Sequence, residues 1–137
     1  MFWLTLPATL ESLEPLREFC ATKALELGCD ELLLPRLELV LEELAVNVVS
    51  HAYGDTRSGD ITVGCGIDAG AFLLEIQDQG MAFDPLDASS PDVDADIEER
   101  PIGGLGIFLV RDMASKLIYA REDDKNILRV YFDQEAA

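Results

Sequence analysis

The sequence predicts an α+β fold in which helices cover one face of a mostly antiparallel mixed sheet, giving a two-layer sandwich. The first observation is the order of elements along the 137 residues: strand, two helices, hairpin, long loop, helix and closing hairpin. The second is the alternation of apolar residues in paired segments separated by turn residues, which is typical of antiparallel hairpins. This length favours a single domain covering residues 1–137.

The first strand is predicted at FWLTL (2–6), where the side chains alternate. Two helices with capping and stopping residues follow it. Their expected boundaries are Thr9 or Ser12 to Gly28 for the first helix, and Asp30 or Pro35 to about His51 for the second.

The second half of the chain predicts two hairpins, a loop and a third helix. The expected strands are 59–68 and 71–78, joined at Ala69-Gly70, and 116–121 and 126–132, joined around EDDK. Residues 79–101 lack periodicity and predict a long loop, and a third helix is expected from Gly104 to about Ala114.

Charge and cysteine content narrow the functional class. The chain carries 27 Asp and Glu against 10 Lys and Arg, a formal net charge of -17, so we expect no direct nucleic-acid contact. No apolar run approaches the roughly 18 residues of a membrane span, and the N-terminus lacks a basic leader region, so we expect neither a membrane span nor a signal peptide. Three cysteines without metal-ligand spacing predict reduced, packed thiols in a cytoplasmic protein: Cys20, Cys29 and Cys65.

The segment EELAVNVVSHAY (42–53) places two polar residues beside the apolar stripe of the second helix. Glu43 and Asn47 are four apart and therefore share a face. Asparagine has poor helix propensity, so a role other than helix formation is one interpretation: a metal-binding amide with a carboxylate one turn away. The alternative is a boundary asparagine beside a solvent-exposed glutamate. The stripe itself consists of Leu37, Val40, Leu41, Leu44 and Val48.

The segment IQDQGMAFDP (76–85) ends an apolar strand with a carboxylate followed closely by a glycine. Asp78 would then face a place where Gly80 lets another group approach closely, and a half-buried carboxylate can accept from the amino group of adenine. The alternative is an ordinary Asp-x-Gly turn.

The segment RPIGGLGIFLVRD (100–112) places glycines at the start of the third helix. Gly103, Gly104 and Gly106 would leave backbone N–H groups and the positive end of the helix dipole directed toward an anion. Such amides need no lysine, and a bound Mg²⁺ would offset much of the charge of a triphosphate. Tight helix packing is the alternative use of these glycines.

Taken in this order, EELAVNVVSHAY, DQGMAFDP and GGLGIFLVRDM resemble the Bergerat ATP-binding fold shared by gyrase, sensor histidine kinases and mismatch-repair ATPases. The resemblance is strongest to its small stand-alone branch, the anti-sigma-factor serine/threonine kinases. It covers nearly the whole chain and implies ATP and Mg²⁺ as cofactors. It also implies an ATP lid at about 84–102, which includes the acidic segment PLDASSPDVDADIEERP.

The resemblance also implies roles for single residues. Asn47 would hold Mg²⁺ against the phosphates, and Glu43 would accept or polarise the hydroxyl proton of the phosphorylated serine or threonine. Asp78 would receive the adenine amino group, with Gly80 giving room for the base. The implied ATP-binding set is Asn47, Asp78, Gly80, Phe83, Gly103, Gly104, Leu105 and Gly106.

The sequence departs from this family at the last strand, where many relatives supply a hydroxyl toward the adenine. That place is predicted to hold Arg129. The lid also has one evident basic residue, Arg100, so neutralisation of the phosphates would depend on Mg²⁺ and the amides.

The resemblance implies a Mg-ATP-dependent serine/threonine kinase that phosphorylates an anti-anti-sigma-like partner and regulates it by partner switching. The alternative is a non-catalytic, ATP-gated module that sequesters a sigma factor or another regulator. The catalytic half of a sensor histidine kinase is disfavoured, because the sole histidine, His51, lies in the helix of the nucleotide site. Relatives of this type form homodimers, and the exposed first strand could contribute to such a contact.

Overall fold

The computed structural model describes residues 1–52, 59–82 and 104–133, and for residues 51–52 and 104–108 it describes the backbone alone. Five strands form one sheet in the order β1-β2-β3-β5-β4, and all four pairings between these described strands are antiparallel. The predicted α+β architecture is confirmed, but the sheet has no parallel pair within the described ranges. The strands are β1 Phe2–Pro7, β2 Asp60–Asp68, β3 Ala71–Asp78, β4 Lys116–Glu122 and β5 Lys125–Asp133.

The described residues form three α-helices, which lie between these strands in the chain. They are α1 Leu13–Glu26, α2 Leu34–Asn47 and α3 Gly104–Met113. Short 3-10 turns, Leu10–Ser12 and Glu31–Leu33, precede α1 and α2, and the carboxylate of Asp30 caps the second turn by accepting from the N–H of Leu32. α2 contacts both α1 and α3, so it links the helices of the layer.

Turn chemistry explains where several elements end. Gly28 has a φ of 87°, and the N–H of Cys29 bonds back to the carbonyl of Ala24, which closes the end of α1 with a left-handed residue. Ala69 and Gly70 join β2 to β3 with φ values of 52° and 84°. Two positive φ values match the type I′ turn, whose twist suits an antiparallel hairpin.

The core lies between the helices and one face of the sheet. The predicted stripe of α2 is buried throughout, and α1 adds Leu16, Cys20 and Ala24. Ile76 of β3, two residues before Asp78, belongs to the same apolar cluster as Leu44 of α2 and Val48, which directly follows α2. Since side chains alternate across a strand, Ile76 and Asp78 point to the same, helix-covered face.

The other face of the sheet is partly open. Trp3 lies over Gly64, where an added Cβ would sit 2.4 Å from the indole ring. Arg129 on β5 pairs with Glu75 on β3, its register partner, at 2.5 Å. The three cysteines are all buried and carry no disulfide, as the sequence predicts. None of the helices in the described ranges is both long enough and apolar enough to cross a bilayer.

Candidate nucleotide-binding site

The last two turns of α2 carry the predicted catalytic and metal-binding residues. Glu43 and Asn47 are both partly exposed, on the border of the buried stripe, as their spacing predicts. Asn47 is the final residue of α2, and a π-helical turn, Val48–Ala52, continues the chain. Such π turns are rare in proteins, and those that occur lie frequently at functional sites. The chain therefore changes its helical geometry directly after the predicted metal ligand.

Asp78, the last residue of β3, is a buried carboxylate with a defined set of donors. Only 8% of the residue is exposed. Its Oδ1 accepts from the N–H of Gly80 at 2.9 Å and from the side-chain amide of Asn126 at 2.9 Å. Hydrogen bonds of this kind lower the cost of burying a carboxylate. Asp78 and Gly80 thus form an Asp-x-Gly turn at the end of the strand, which was the alternative interpretation of this segment, and the adenine-binding role of Asp78 stays a prediction.

Asn126 at the start of β5 connects Asp78 to neighbouring groups. It lies opposite Asp78 in the sheet register, and its Nδ2 also donates to the carbonyl of Met81 at 2.8 Å. Its Oδ1 accepts from the hydroxyl of Tyr119 at 2.5 Å. Asn126 is buried, so these bonds are formed away from bulk water.

The turn after β3 has a further contact with the closing hairpin. Arg121 on β4 donates to the carbonyl of Gly80 at 2.8 Å. Arg121 and Asn126 therefore bind the backbone of two successive turn residues, Gly80 and Met81. This holds the end of β3 and the start of the following segment against the β4–β5 hairpin.

The prediction for Arg129 is wrong. Arg129 lies opposite Glu75 on the sheet face away from Asp78, and it donates to the Glu75 carboxylate. This hydrogen bond raises the pKa of Arg129 above its usual range. The last-strand residue that contacts Asp78 is Asn126, three positions earlier. The strand register, which residue order along the chain does not reveal, decides which side chain reaches the carboxylate.

The glycine-rich segment opens a helix, as predicted. α3 begins at Gly104, so Gly104, Leu105 and Gly106 form its first turn. The first N–H groups of any α-helix have no acceptor within the helix, so they are available to an anion. Phe83, Gly103 and the lid predicted at about 84–102 lie outside the described residues.

The described residues fit a nucleotide with Mg²⁺. Within the described ranges, no three His, Cys, Asp or Glu side chains form a metal cluster. A nucleotide site does not require one, because Mg²⁺ commonly keeps several waters and uses the phosphates with one or two protein oxygens. The amide oxygen of Asn47 can supply such a ligand, and the first turn of α3 can supply donors to phosphate. Mg²⁺ would neutralise charge on the phosphates when bound.

Comparison with known families agrees with this architecture. The family described as "Histidine kinase-like ATPase domain" matches residues 6–132, a range that runs from β1 to β5. The chain belongs to the histidine kinase-like ATPase domain family. This confirms the resemblance to the Bergerat fold that the three motifs indicate, and membership indicates an ATP-binding domain.

Several members of this family with kinase names are similar to the chain. The serine-protein kinase RsbW of Oceanobacillus iheyensis is 34% identical over 79 residues, which cover 54% of this chain and 49% of that protein. The serine/threonine-protein kinase BtrW of Bordetella bronchiseptica is 33% identical over 92 residues, covering 67% of this chain and 65% of that protein. RsbW of Listeria monocytogenes is 28% identical over 104 residues, covering 72% and 66%. The chain therefore spans between about half and two thirds of these relatives.

Solved structures of the histidine kinase-like ATPase type share the fold. The RsbU and RsbW domains of a Mycobacterium tuberculosis protein give a TM-score of 0.63 at 14% identity, covering 98% of this chain and 33% of that one. A histidine kinase domain from the blue-light activated kinase of Erythrobacter litoralis gives 0.52 at 20% identity, covering 74% and 44%. At these identities the likeness concerns the fold alone.

Sequence reasoning missed three residues around Asp78: Tyr119, Arg121 and Asn126. One available signal was the asparagine near the start of the predicted strand, since asparagine is depleted in strands. That signal is ambiguous here, because Asn126 follows the turn at Asp123 and Asp124, where asparagine is common. The register between β3 and β5 resolves the ambiguity.

Proposed function

We propose that the protein is a Mg-ATP-dependent serine/threonine protein kinase of the anti-sigma-factor type, which phosphorylates an anti-anti-sigma-like partner and regulates it by partner switching. The observation that carries the proposal is the pair on α2. Glu43 and Asn47 are partly exposed on one helical face, and Asn47 ends the helix. A pure nucleotide-binding module needs no carboxylate one turn before its metal ligand, whereas a kinase can use it on the hydroxyl of its substrate.

In the proposed binding mode, adenine lies at Asp78 and Gly80, and the phosphates lie at the first turn of α3. Asp78 Oδ2 would accept from the adenine amino group, because both donors described for this carboxylate bind Oδ1. Asn47 would hold Mg²⁺, and the amides of Gly104–Gly106 would bind phosphate oxygens. Phe83 and Gly103 complete the proposed ATP-binding set, with residues 84–102 as its lid.

In the proposed reaction, the hydroxyl oxygen of the partner's serine or threonine forms a bond to the γ-phosphorus of ATP. The bond between that phosphorus and the β–γ bridging oxygen breaks, and ADP leaves. The hydroxyl proton passes to the carboxylate of Glu43. Phosphoryl transfer depends mainly on positioning and charge stabilisation, so this small set of groups is chemically sufficient.

The proposal also covers partners and location. The direct partner would be an anti-anti-sigma-like protein carrying the target hydroxyl, and a sigma factor would be a second partner. We propose a cytoplasmic protein that contacts neither nucleic acid nor membrane. We also propose a homodimer, supported by Phe2 and Trp3, which are 44% and 47% exposed on the edge strand β1. Sedimentation of the purified chain at several concentrations tests that assembly.

The decisive experiment measures transfer of labelled γ-phosphate from Mg-ATP to proteins of a host lysate, with nucleotide binding followed by calorimetry. Glu43→Gln should retain nucleotide affinity but lose transfer by roughly 10²–10⁴-fold, as is typical when a general base is removed. Asn47→Ala should weaken Mg-ATP binding and abolish label. Glu42→Gln is the matched control, because it makes the same charge change at the exposed neighbouring position.

Each outcome has a distinct meaning. A small labelled protein that disappears with Glu43→Gln but remains with Glu42→Gln supports the kinase and identifies its substrate. Undiminished transfer by Glu43→Gln removes the role of that carboxylate. ATP binding without any label favours the alternative, an ATP-gated module that sequesters a regulator. Absence of nucleotide binding by the unmodified protein rejects both.

A further inference from the structure

The buried amide of Asn126 lies between three oxygen atoms. Nδ2 donates to Asp78 Oδ1 at 2.9 Å and to the carbonyl of Met81 at 2.8 Å, and Oδ1 accepts from the hydroxyl of Tyr119 at 2.5 Å. Tyr119 lies opposite Leu128 on the helix-covered face, and its ring packs against the core. Tyr119, Asn126 and Asp78 come from three adjacent strands, β4, β5 and β3 in that order.

The chemistry of these partners allows one orientation of the amide. A carbonyl only accepts hydrogen bonds, and an ionised carboxylate does the same. The NH₂ group of Asn126 must therefore face Asp78 and Met81, which directs its Oδ1 toward Tyr119. Tyr119 must then donate, so its hydroxyl supplies the hydrogen bond to Oδ1 in the orientation that Asp78 and Met81 select. With the hydroxyl removed, Oδ1 of Asn126 loses the donor that helps to hold the amide against Asp78.

We propose that Tyr119 and Asn126 are positioning residues that hold the Asp78 carboxylate for a 6-amino purine and so set the preference of the site for adenine over 6-oxo purines. This inference rests on the proposed binding of ATP, and it adds two residues of this chain that the three motifs do not include. Neither residue contacts the nucleotide in this proposal; both act through Asp78.

The selectivity follows from the difference between the two bases. Adenine presents an amino donor at position 6, whereas hypoxanthine presents a carbonyl oxygen there and an N–H at position 1. A carboxylate whose Oδ1 is held by Gly80 and Asn126 keeps Oδ2 in one direction, where an amino group is accepted and a carbonyl oxygen is repelled. A carboxylate released from Asn126 can turn toward the N–H at position 1. Loss of the hydrogen bond from Asn126 to Asp78 should therefore reduce the discrimination between adenine and hypoxanthine as well as the affinity for ATP.

The test measures dissociation constants of Mg-ATP and Mg-ITP by calorimetry on the full chain, for the unmodified protein and for Tyr119→Phe. The unmodified protein should bind ATP more tightly than ITP by about tenfold or more. In Tyr119→Phe this ratio should fall by about threefold or more. Asn126→Leu, which removes the amide at similar volume, should lower the ratio further. Tyr131→Phe is the matched control, since it removes a phenol hydroxyl from β5 on the face of the sheet opposite Asp78.

The outcomes separate this inference from the proposed function. If the ratio of ATP affinity to ITP affinity is unchanged in Tyr119→Phe, the inference is overturned. This includes an equal loss of affinity for both nucleotides, because a merely structural role would act on both alike. A fall in the ratio with Tyr131→Phe of the same size overturns it too. If the unmodified protein binds neither nucleotide, the proposed function fails and this inference fails with it. Thermal unfolding of Tyr119→Phe, which keeps the buried ring, verifies that the variant is folded.

Discussion

Asp78 shows at the residue scale how a carboxylate is buried with only neutral donors among its described hydrogen-bond partners. Its carboxylate is 8% exposed and has no basic side chain among the hydrogen-bond donors described for it. A backbone N–H and a neutral amide stabilise it, which leaves its negative charge available to an amino group. A salt bridge at this position would compete with a ligand, whereas the ion pair of Glu75 lies on the other face of β3. The alternation of side chains along one strand separates the two carboxylates.

Cys20 provides a pH-dependence prediction at the same scale. A hydrogen bond with Cys65 and burial raise its pKa above the ordinary value of 9.0, so the thiol stays protonated in the folded protein. In the unfolded chain, the Cys20 thiol ionises near that ordinary pKa. A pKa raised by folding gives stability that is present below the unfolded pKa and is lost as pH increases above it. Above about pH 9, the free energy of unfolding should therefore fall by roughly 1 kcal/mol per pH unit from this group.

The measurement is urea unfolding between neutral and alkaline pH, with Cys20→Ala as the comparison. The variant loses packing at every pH, so only the slope against pH is compared. The slope above pH 9 should be smaller in Cys20→Ala than in the unmodified protein, because one linked proton has been removed. Identical slopes would contradict the assignment. Iodoacetamide should also fail to modify Cys20 until denaturant is added, because the residue is fully buried.

At the scale of elements, the closing hairpin organises the site. β4 and β5 bring Tyr119, Arg121 and Asn126 to the end of β3, and the turn between them has φ values of 52° at Asp123 and 62° at Asp124. Positive φ at both positions gives the twist of a type I′ turn and sets the hairpin register. That register determines that Asn126, and not Arg129, faces Asp78. Lengthening or shortening this turn by one residue would shift the register and move every β5 side chain to the other face.

The Arg129–Glu75 pair gives a prediction for the open face of the sheet. Arg129→Met removes the donor at 2.5 Å from a carboxylate that is 5% exposed, leaving Glu75 with the 2.6 Å bond from Gln77. The expected loss is about 1–3 kcal/mol in the free energy of unfolding, because a buried charge loses its partner. Nucleotide affinity should not change, because the pair lies on the face opposite Asp78.

Urea unfolding and calorimetry measure the two quantities separately. The matched control is the double change Arg129→Met with Glu75→Gln, which removes the unpaired charge and should recover part of the lost stability. Lower nucleotide affinity in folded Arg129→Met would contradict the placement of this pair away from the site.

The helical layer shows which element boundaries depend on tertiary context. The predicted ends of α1 lie close to the observed ones. The left-handed Gly28 acts locally after its C-terminal end, whereas neither Thr9 nor Ser12 makes a side-chain cap hydrogen bond at its start. The predicted second helix ran to about His51, whereas the α-helical pattern ends at Asn47 and a π turn follows. The apolar spacing past Asn47 is compatible with either geometry, so periodicity could not distinguish them.

At the scale of the whole molecule, the net charge of -17 is the dominant long-range property. A surface of this charge attracts a basic partner and accelerates encounter, or it serves only to keep the protein soluble. For the proposed partner, the attractive case predicts an affinity that falls by about tenfold or more as salt rises from low to moderate concentration.

Binding of the phosphate-accepting partner, once identified by labelling, should be measured at two salt concentrations with dissociation and association rates resolved. The association rate should carry most of the change, because long-range attraction acts on encounter. Mg-ATP binding by the same protein is the internal control for salt effects on folding. Partner affinity that is insensitive to salt would assign the acidity to solubility alone.

The sequence by itself determined the fold class, the order of the elements, the α2 stripe and the turn residues. These follow from local spacing: apolar residues at helical or alternating intervals, and glycines or aspartates where the backbone must turn. It also predicted Glu43, Asn47 and Asp78 as candidates. Tertiary structure alone decided that Arg129 pairs with Glu75, that Asn126 donates to Asp78 and accepts from Tyr119, and that a π turn follows Asn47. Contacts such as Asn126–Asp78 join residues 48 apart in the chain, and only the strand register determines which of them meet.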